Sequence, residues 1–405
     1  MEYVIGVDIG SSNIKAIAFD DSAMPLAESS ISCSFLPNPD NRLYQEQDPD
    51  IIFTTVLQCI ANLQKSMRGG NPAAIGLSSA MHSLIALDRN DKPLTRCMSW
   101  ADLRSRNLAN ELKNTKLGRD LYRHTGTPVH PMSPLTKIAW LRRHNPDLFN
   151  QSAMFLGIKE FIVLKLFGHK LCDYSIASAT GLFDIFNYRW YSPALDYAGI
   201  DTTQLPEPVD SLHMLTGLNA YDAGRLSLPP ETPWVIGASD GCLANLGALV
   251  FDENDAIITL GTSAALRRKA SQPTDDALGR VFNYLLYRDC YITGGASNNG
   301  GYLAQWFATS LCKESGFEQL LAEVEKTAPG AEGLLFLPFV LGERAPLWDP
   351  DATGAFVGIR SHHDRAHFQR AVLEGMLFNL YEIAQVLISL AGPIPRLHVN
   401  GGLAR

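Results

Sequence analysis

The residues best suited to chemistry lie in the first twenty positions, MEYVIGVDIGSSNIKAIAFD. A short apolar run predicts a buried strand ending on Asp8, and a turn through Gly10, Ser11 and Ser12 leads into a second strand. A carboxylate beside a small-residue turn suits magnesium and phosphate. Asp holds the ion through water, and the N–H groups and hydroxyls of the turn face phosphate oxygens unobstructed. An ordinary hairpin with a Gly/Ser turn has the same pattern.

The opening pattern partly recurs at AIITLGTSAALRR, with Gly261, Thr262 and Ser263 in the place of the first turn. Such a repeat indicates two similar lobes with a ligand between them, although strand–Gly–strand segments also arise by chance. Asp240 lies between the two copies, where a predicted strand gives way to a helix. It is either a helix cap or a general base that takes a proton from a substrate hydroxyl as that hydroxyl attacks phosphorus.

Further polar residues follow the predicted strands near position 80 and position 100. His82 either hydrogen-bonds a polyol hydroxyl or is a satisfied buried histidine. Asp102 and Arg104 come just after Trp100 and either contact substrate or pair with each other.

Two glycine-rich segments, Gly294–Gly301 and Asn400–Ala404, permit close approach of a flat or phosphorylated ligand. Neither is a P-loop, because the sequence contains no G-x-x-x-x-G-K-[ST] pattern. His362, His363 and His367 have a spacing that occurs in zinc sites, but the segment is more typical of the polar start of a helix. We therefore expect no metal there.

Composition narrows the class of protein. The 405 residues suffice for two or three domains, and 46% hydrophobic against 19% charged residues predicts a sizeable core. A net charge of −8 without a Lys/Arg-rich run argues against nucleic-acid and membrane-surface partners. Seven scattered cysteines without a C-x-x-C pair suit reduced thiols. With no signal-peptide pattern and no apolar run judged long enough to span a membrane, we expect a soluble cytoplasmic α/β protein.

The elements that position these residues alternate between strands and helices at both ends of the chain, whereas residues 102–230 are mostly helical. Predicted helices span Pro49–Met67, Tyr302–Leu311 and Asp364–Leu390. Predicted strands include Ala73–Ser78, Leu84–Leu87, Trp234–Ala238, Leu334–Pro338 and Arg396–Val399, with an extended stretch at Ile31–Leu36. In the last helix an apolar stripe is expected to face the core: Ala371, Val372, Leu373, Met376, Leu377, Leu380, Ile383, Ala384 and Leu387.

Taken together, these residues resemble the FGGY family of carbohydrate kinases. MSPLTKIAWLRRH is similar to the first signature of that family, with Pro134, Lys137 and Trp140 in place, and Gly354–Glu374 is similar to the second. The resemblance implies an α/β fold of two actin/hexokinase-like (ribonuclease H-like) ATPase lobes with a cleft between them. It assigns residues 1–249 to a lobe with the sugar site and the first phosphate turn, and residues 250–405 to a nucleotide-binding lobe.

The resemblance also implies ATP and Mg²⁺ as cofactors, a small-molecule sugar or sugar acid as substrate, and a homodimer as a possible assembly. The implied roles are metal organisation by Asp8; contact with the β- and γ-phosphates by Gly10, Ser11 and Ser12; a second phosphate turn at Gly261 and Thr262; general base at Asp240; sugar pocket at Met81, His82 and Asp102; and adenosine border at Gly301, Gly401 and Gly402.

Within the family, SSAMHSLIALD, SWADLRS and GERAPLWDP are similar to members that act on gluconate. Members that act on xylulose usually carry Gln-Met-His-Gly where this chain has Ala80-Met81-His82-Ser83, so a xylulose or other pentulose substrate is the alternative. Arg267 either faces a substrate carboxylate, or is a surface arginine or part of an internal ion pair.

Family members usually continue well beyond the GGLAR at which this sequence stops. The resemblance therefore implies a fragment, or a truncated relative with doubtful nucleotide affinity. A non-catalytic sugar- or nucleotide-binding protein on the same fold is the third alternative.

Overall fold

The computed structural model describes residues 2–36, 38, 41–67, 70–248, 252–311, 324–325 and 327–402. The chain forms two compact units, one of Met1–Ala244 with Tyr284–Tyr291 and one of Asn245–Asn283 with Ile292–Arg405. The predicted lobe boundary at residues 249 and 250 lies outside the described residues, as do Cys312 and the Leu-Ala-Arg that ends the GGLAR segment.

The first unit contains a central mixed sheet and helices on and beside it. Its strands are β1 Val4–Ile9, β2 Asn13–Phe19, β3 Pro25–Ser32, β4 Glu46–Gln47, β5 Ala74–Ser79, β6 Ile85–Leu87, β7 Cys97–Met98, β8 Met154–Leu156, β9 Leu171–Asp173, β10 Phe183–Asp184, β11 Arg189–Trp190, β12 Glu207–Val209, β13 Met214–Leu215 and β14 Trp234–Ser239. Its helices are α1 Pro49–Ser66, α2 Arg106–Lys113, α3 Lys116–Thr125, α4 Pro134–His144, α5 Pro146–Gln151, α6 Ile158–Phe167, α7 Tyr174–Ser178, α8 Ser192–Ala198, α9 Ala220–Leu226 and α10 Asp240–Gly247, whose end passes into the second unit.

The central sheet has the strand order β13-β14-β5-β1-β2-β3. β1 and β2 form the expected antiparallel hairpin, while β5 pairs parallel with both β1 and β14. Alternate residues Ile5, Val7 and Ile9 are buried, as a strand with one face on a core requires. The predicted strands at Ala73–Ser78 and Trp234–Ala238 are confirmed to within a residue.

Helix α1 packs on this sheet, and its sequence explains why this segment is helical. Asp48 caps its N-terminus by accepting hydrogen bonds from the N–H groups of Asp50 and Ile51, and Pro49 occupies the first turn, where proline is tolerated. Its buried face, which includes Val56 and Ile60, joins the core of the sheet.

The second unit repeats the arrangement of the first hairpin. Its strands are β15 Asp255–Leu260, β16 Ala264–Ala270, β19 Leu335–Leu337, β20 Ala355–Val357 and β21 Arg396–Asn400, and its helices are α11 Tyr302–Trp306 and α12 Arg365–Ala391. Strand β17 Phe282–Tyr287 begins in this unit and β18 Cys290–Ser297 ends in it, while Tyr284–Tyr291 belongs to the first unit. β15 pairs antiparallel with β16 and parallel with β21, just as β1 pairs with β2 and β5. The internal similarity predicted from the two turns therefore extends to strand topology. The helix predicted at Tyr302–Leu311 is α-helical only to Trp306 and continues as a π-helical turn at Phe307–Leu311.

Helix α12 begins with a capping box in which Asp364 and His367 each bond the other's backbone N–H. Most of the predicted stripe is buried in the second unit, including Met376, Leu380 and Ile383. The prediction is wrong at Leu377, which is 51% exposed, because the helix is packed on one side only and Leu377 lies on the other.

Helix α12 also corrects the expectation that no apolar run reaches membrane-spanning length. Its 27 residues are long and apolar enough to cross a bilayer by length and composition, with a window of mean hydropathy 1.4. Half of that window is buried inside the protein, which is what the core helix of a folded unit also shows.

Candidate active site

In the first unit, three adjacent parallel strands end at the same sheet edge. The register pairs Ile9 of β1 with Ser79 of β5, and Ser79 with Ser239 of β14. Because neighbouring strands lie about 5 Å apart, the segments that follow them emerge side by side. The first turn, the His82 loop and Asp240 are thus brought to one edge, which is where open α/β sheets bind ligands.

The first turn presents a carboxylate and hydroxyls to solvent. Asp8 is exposed, and its carboxylate accepts a hydrogen bond from Ser78 Oγ at 2.8 Å. Gly10 donates to Asn13 O at 3.1 Å, and a Cβ on Gly10 would lie only 2.7 Å from that oxygen. Ser12 is exposed. The turn is therefore tight enough to require glycine and open enough to receive a phosphate.

Ser11 is held from two sides. Its carbonyl accepts from Gln47 Nε2 at 2.9 Å, and its hydroxyl accepts from Trp100 Nε1 at 3.2 Å. Sequence reasoning missed Gln47, which bonds Ser11, and Ser78, which bonds Asp8, because each belongs to a strand distant in the chain.

Asp240 is exposed and is the first residue of α10. Its carboxylate accepts the N–H of Gly241 at 2.6 Å, so it does serve the helix N-terminus. Its exposure at the strand edge also leaves it accessible to a ligand, so both interpretations of Asp240 agree with this geometry. The preceding Ser239 is buried and bonded to Ser175 through their hydroxyls at 2.9 Å, which anchors the start of the helix.

His82 is buried and has a left-handed backbone with φ +67°. Its Nδ1 lies 2.7 Å from Ala179 O, and its Nε2 lies 3.5 Å from Tyr284 Oη. The imidazole is thus a satisfied buried histidine at the same edge as Asp8 and Asp240. Met81, beside it, is half-buried.

Asp102 and Arg104 pair with each other, which is one of the two alternatives that the sequence left open. Asp102 is fully buried, and its two oxygens accept from Arg104 Nε and Nη2, each at 2.8 Å, and from Gln45 N at 2.9 Å. Arg104 also bonds Glu46 and lies over the ring of Tyr44 at 4.1 Å. Contact between Asp102 and a substrate stays a prediction.

In the second unit, the turn of Gly261, Thr262 and Ser263 is joined to the start of α11. Gly261 donates to Ser263 O at 2.9 Å, Gly301 N–H donates to Gly261 O at 2.8 Å, and Tyr302 N–H donates to Thr262 O at 3.1 Å. A Cβ on Gly300 would lie 2.5 Å from the carbonyl carbon of Ser263. Only glycine permits this approach of the two segments.

The end of β21 reaches the same turn. Gly401 has φ +103°, and a Cβ there would lie 2.2 Å from Leu260 O. The structure therefore brings Gly261, Gly301 and Gly401 together, while Gly402 is exposed with open space around it. Arg267 is half-buried on β16, with Nη1 3.3 Å from the hydroxyl of Thr259.

Sequence reasoning missed Glu343, a buried carboxylate that organises this part of the second unit. One oxygen accepts from the N–H groups of Asn298 at 3.0 Å and Arg344 at 2.7 Å. The other accepts from Ser297 Oγ at 2.7 Å, Asn379 Nδ2 at 3.0 Å and Asn299 Nδ2 at 3.1 Å. Burial raises the pKa of Glu343, while these donors favour its ionised form.

Replacing Glu343 by Gln is expected to destabilise the second unit by about 3 kcal/mol, because either amide orientation puts an NH₂ group against donors. Scanning calorimetry measures the loss, and Glu382→Gln on the exposed side of α12 is the matched control. Equal melting temperatures for the two variants would contradict the prediction.

The histidine cluster lies at the start of α12. His362 Nε2 and His367 Nε2 lie 3.2 and 3.7 Å from the carboxylate of Glu332, and His367 Nδ1 lies 2.7 Å from Asp364. Within the described part of the chain, no three His, Cys, Asp or Glu side chains form a metal-binding group.

Two glycine–hydroxyl turns, each built on a hairpin flanked by a parallel strand, are typical of enzymes that bind and transfer phosphate groups. Residues 3–247 match the FGGY family of carbohydrate kinases, N-terminal domain, and residues 256–405 match the C-terminal domain of that family. The chain belongs to the FGGY family of carbohydrate kinases, which are ATP-dependent phosphotransferases.

Individual relatives agree with this assignment. The chain is 40% identical over 414 residues to a gluconokinase from Bacillus licheniformis, covering 100% of this chain and 80% of the relative. It is similar to a gluconate kinase from Lactobacillus acidophilus, with a TM-score of 0.93, 32% identity and coverage of 100% and 82%. A xylulose kinase from the same species has a TM-score of 0.94, 33% identity and the same coverage. The predicted family and actin/hexokinase-like α/β fold are confirmed.

Proposed function

We propose that the protein transfers the γ-phosphate of ATP to D-gluconate and forms 6-phosphogluconate. The observation that carries the proposal is the 40% identity to a gluconokinase over the whole of this chain. The edge shared by Asp8, His82 and Asp240 supports it, because phosphoryl transfer needs an anion-binding turn beside a proton acceptor.

The first unit would bind and activate the sugar. Asp240, exposed at the strand edge, would orient and deprotonate the terminal hydroxyl as its oxygen attacks phosphorus in line. His82 and Met81 would line the sugar pocket. Arg267 would supply a cation for the gluconate carboxylate.

The phosphate groups would be held by backbone N–H groups and hydroxyls. Gly10, Ser11 and Ser12 would face the β- and γ-phosphates, and Gly261 and Thr262 would form the second phosphate turn. An exposed carboxylate such as Asp8 fits Mg²⁺, which keeps most of its water ligands. When bound, the ion neutralises charge that develops on the transferred phosphoryl group.

The adenosine would border Gly301, Gly401 and Gly402 in the second unit. Support comes from the close approach of Gly401 to Leu260 O, which admits no side chain there, and from the open space around Gly402. The division into a sugar lobe at 1–249 and a nucleotide lobe at 250–405 is part of this proposal. A cytoplasmic location and a homodimer stay predictions.

The substrate assignment predicts the order of activities in a coupled ADP-release assay with gluconate, xylulose, ribulose and glycerol. We expect kcat/KM for gluconate to exceed that for each neutral substrate by about tenfold or more, because a paired carboxylate adds binding that the others lack. Asp240→Asn protein, purified in the same way, is the control for contaminating kinases.

Xylulose is the second candidate, because a xylulose kinase is equally similar in structure. A preference for xylulose over gluconate would replace the gluconate assignment within the same class. Sugar binding in calorimetry, without ADP production from any of the four, would instead favour a non-catalytic protein.

A further inference from the structure

Lys137 in α4 is a fully buried ammonium whose role the proposed function does not explain. It is 0% exposed, and Nζ donates to two backbone carbonyls, His82 O at 2.7 Å and Ser99 O at 2.6 Å. Burying an ammonium is costly because the charge loses its hydration, so other interactions must offset that cost. The charge-assisted hydrogen bonds to the two carbonyls offset part of it.

The two carbonyls belong to different loops. His82 lies in the loop after β5 and has a φ of +67°, which is uncommon for a non-glycine residue and persists only where the surrounding structure holds it. A bond to its carbonyl fixes the orientation of that peptide, and with it the direction of the imidazole toward Ala179 O.

Ser99 begins the second loop, which follows β7. Its carbonyl also accepts the N–H of Asp102 at 3.1 Å. The next residue, Trp100, donates from Nε1 to the hydroxyl of Ser11 in the first turn. Lys137 is therefore connected through one loop to His82 and through the other to Ser11.

We propose that Lys137 is a positioning residue: its ammonium joins the His82 loop to the loop of residues 99–102, and so sets His82 and, through Trp100, Ser11. The kinetic part of this inference rests on the proposed kinase activity, but not on which sugar is used. Its structural part concerns the loops themselves.

The surroundings of Lys137 make the position sensitive to pH. Burial lowers the pKa of Lys137 to about 7; Asp102 and Cys97 oppose that shift, and Arg104 adds to it. Deprotonation above that value would weaken both bonds to the carbonyls.

The direct test is hydrogen exchange by mass spectrometry on the full chain. Lys137→Met is expected to increase exchange in residues 78–84 and 98–104 together, because both carbonyls lose their shared donor. Leu63→Ala, in the buried face of α1, is the matched control for general destabilisation. It is expected to increase exchange in α1 and not in those two loops.

The kinetic test compares the same variants in the coupled assay. Lys137→Met is expected to lower kcat/KM for the sugar by about 10²-fold, since small misplacements of reacting groups have effects of that size. We expect the wild-type pH profile of kcat/KM to fall above about pH 7, as Lys137 loses its proton, and the Met variant to lack this fall. Lys137→Gln keeps a neutral hydrogen-bond donor, so its kcat/KM should lie between those of the wild type and Lys137→Met. It replaces the Met variant in the test if that variant does not fold.

Unchanged exchange in both loops overturns the proposal, as does an exchange increase spread equally over the unit. So does a Met or Gln variant with wild-type kcat/KM. If the wild-type protein phosphorylates none of the four substrates, the proposed function fails, and the exchange experiment alone decides the role of Lys137.

Discussion

Replacing Asp240 by Asn is expected to lower kcat by about 10²- to 10⁴-fold, the range that loss of a general acid or base produces. The amide keeps the size of the side chain, and its oxygen still accepts the N–H of Gly241, so the start of α10 should be preserved. What the amide lacks is the ability to take the hydroxyl proton. Affinity for the sugar, measured by calorimetry, should therefore change little.

The control for the helix contribution of Asp240 is Asp147→Asn. Asp147 is an exposed carboxylate in the first turn of α5, where its charge also favours the helix N-terminus. We expect this variant to retain wild-type turnover and melting temperature. Near-normal turnover of Asp240→Asn would remove Asp240 from the role of base.

Replacing Gly237 by Ala is expected to destabilise the first unit by about 3–5 kcal/mol, at the upper end of point-mutant effects. Gly237 has φ +70°, and a Cβ there would lie 1.7 Å from Leu77 O. It lies where the register of β14 against β5 shifts, between Val235 and Ala238. The backbone must move to admit a methyl group, and it leads directly to Asp240, so turnover should fall as well.

Scanning calorimetry measures this effect, and the melting temperature should drop by about 10 °C. The matched control is Gly76→Ala in β5, the neighbouring strand. Gly76 has open space where a Cβ would lie, so Ala should change stability by less than about 0.5 kcal/mol. Similar melting temperatures for the two variants would contradict the steric argument.

The local elements could be predicted because their signals are local. Alternation in β1 and β2, the Asp48–Pro49 start of α1, and the glycine–hydroxyl turns each depend on neighbours in sequence. The candidate acid–base and phosphate residues could be proposed for the same reason, since each stands where an apolar run ends. One prediction from local periodicity was wrong: the apolar stripe of α12 was expected to bury Leu377, but that residue is exposed.

The sequence by itself determined the hairpins, the turns and the family. Only the tertiary structure decided which polar groups meet, because their partners lie far apart in the chain. Lys137 is 55 positions from His82, and Glu343 is 36 from Asn379. Asp102 pairs with Arg104 because it is buried, and an unpaired buried charge is costly. The periodicity of the sequence does not reveal that burial. The candidate site also depends on tertiary structure, since the register of β1, β5 and β14 places Asp8, His82 and Asp240 along one edge.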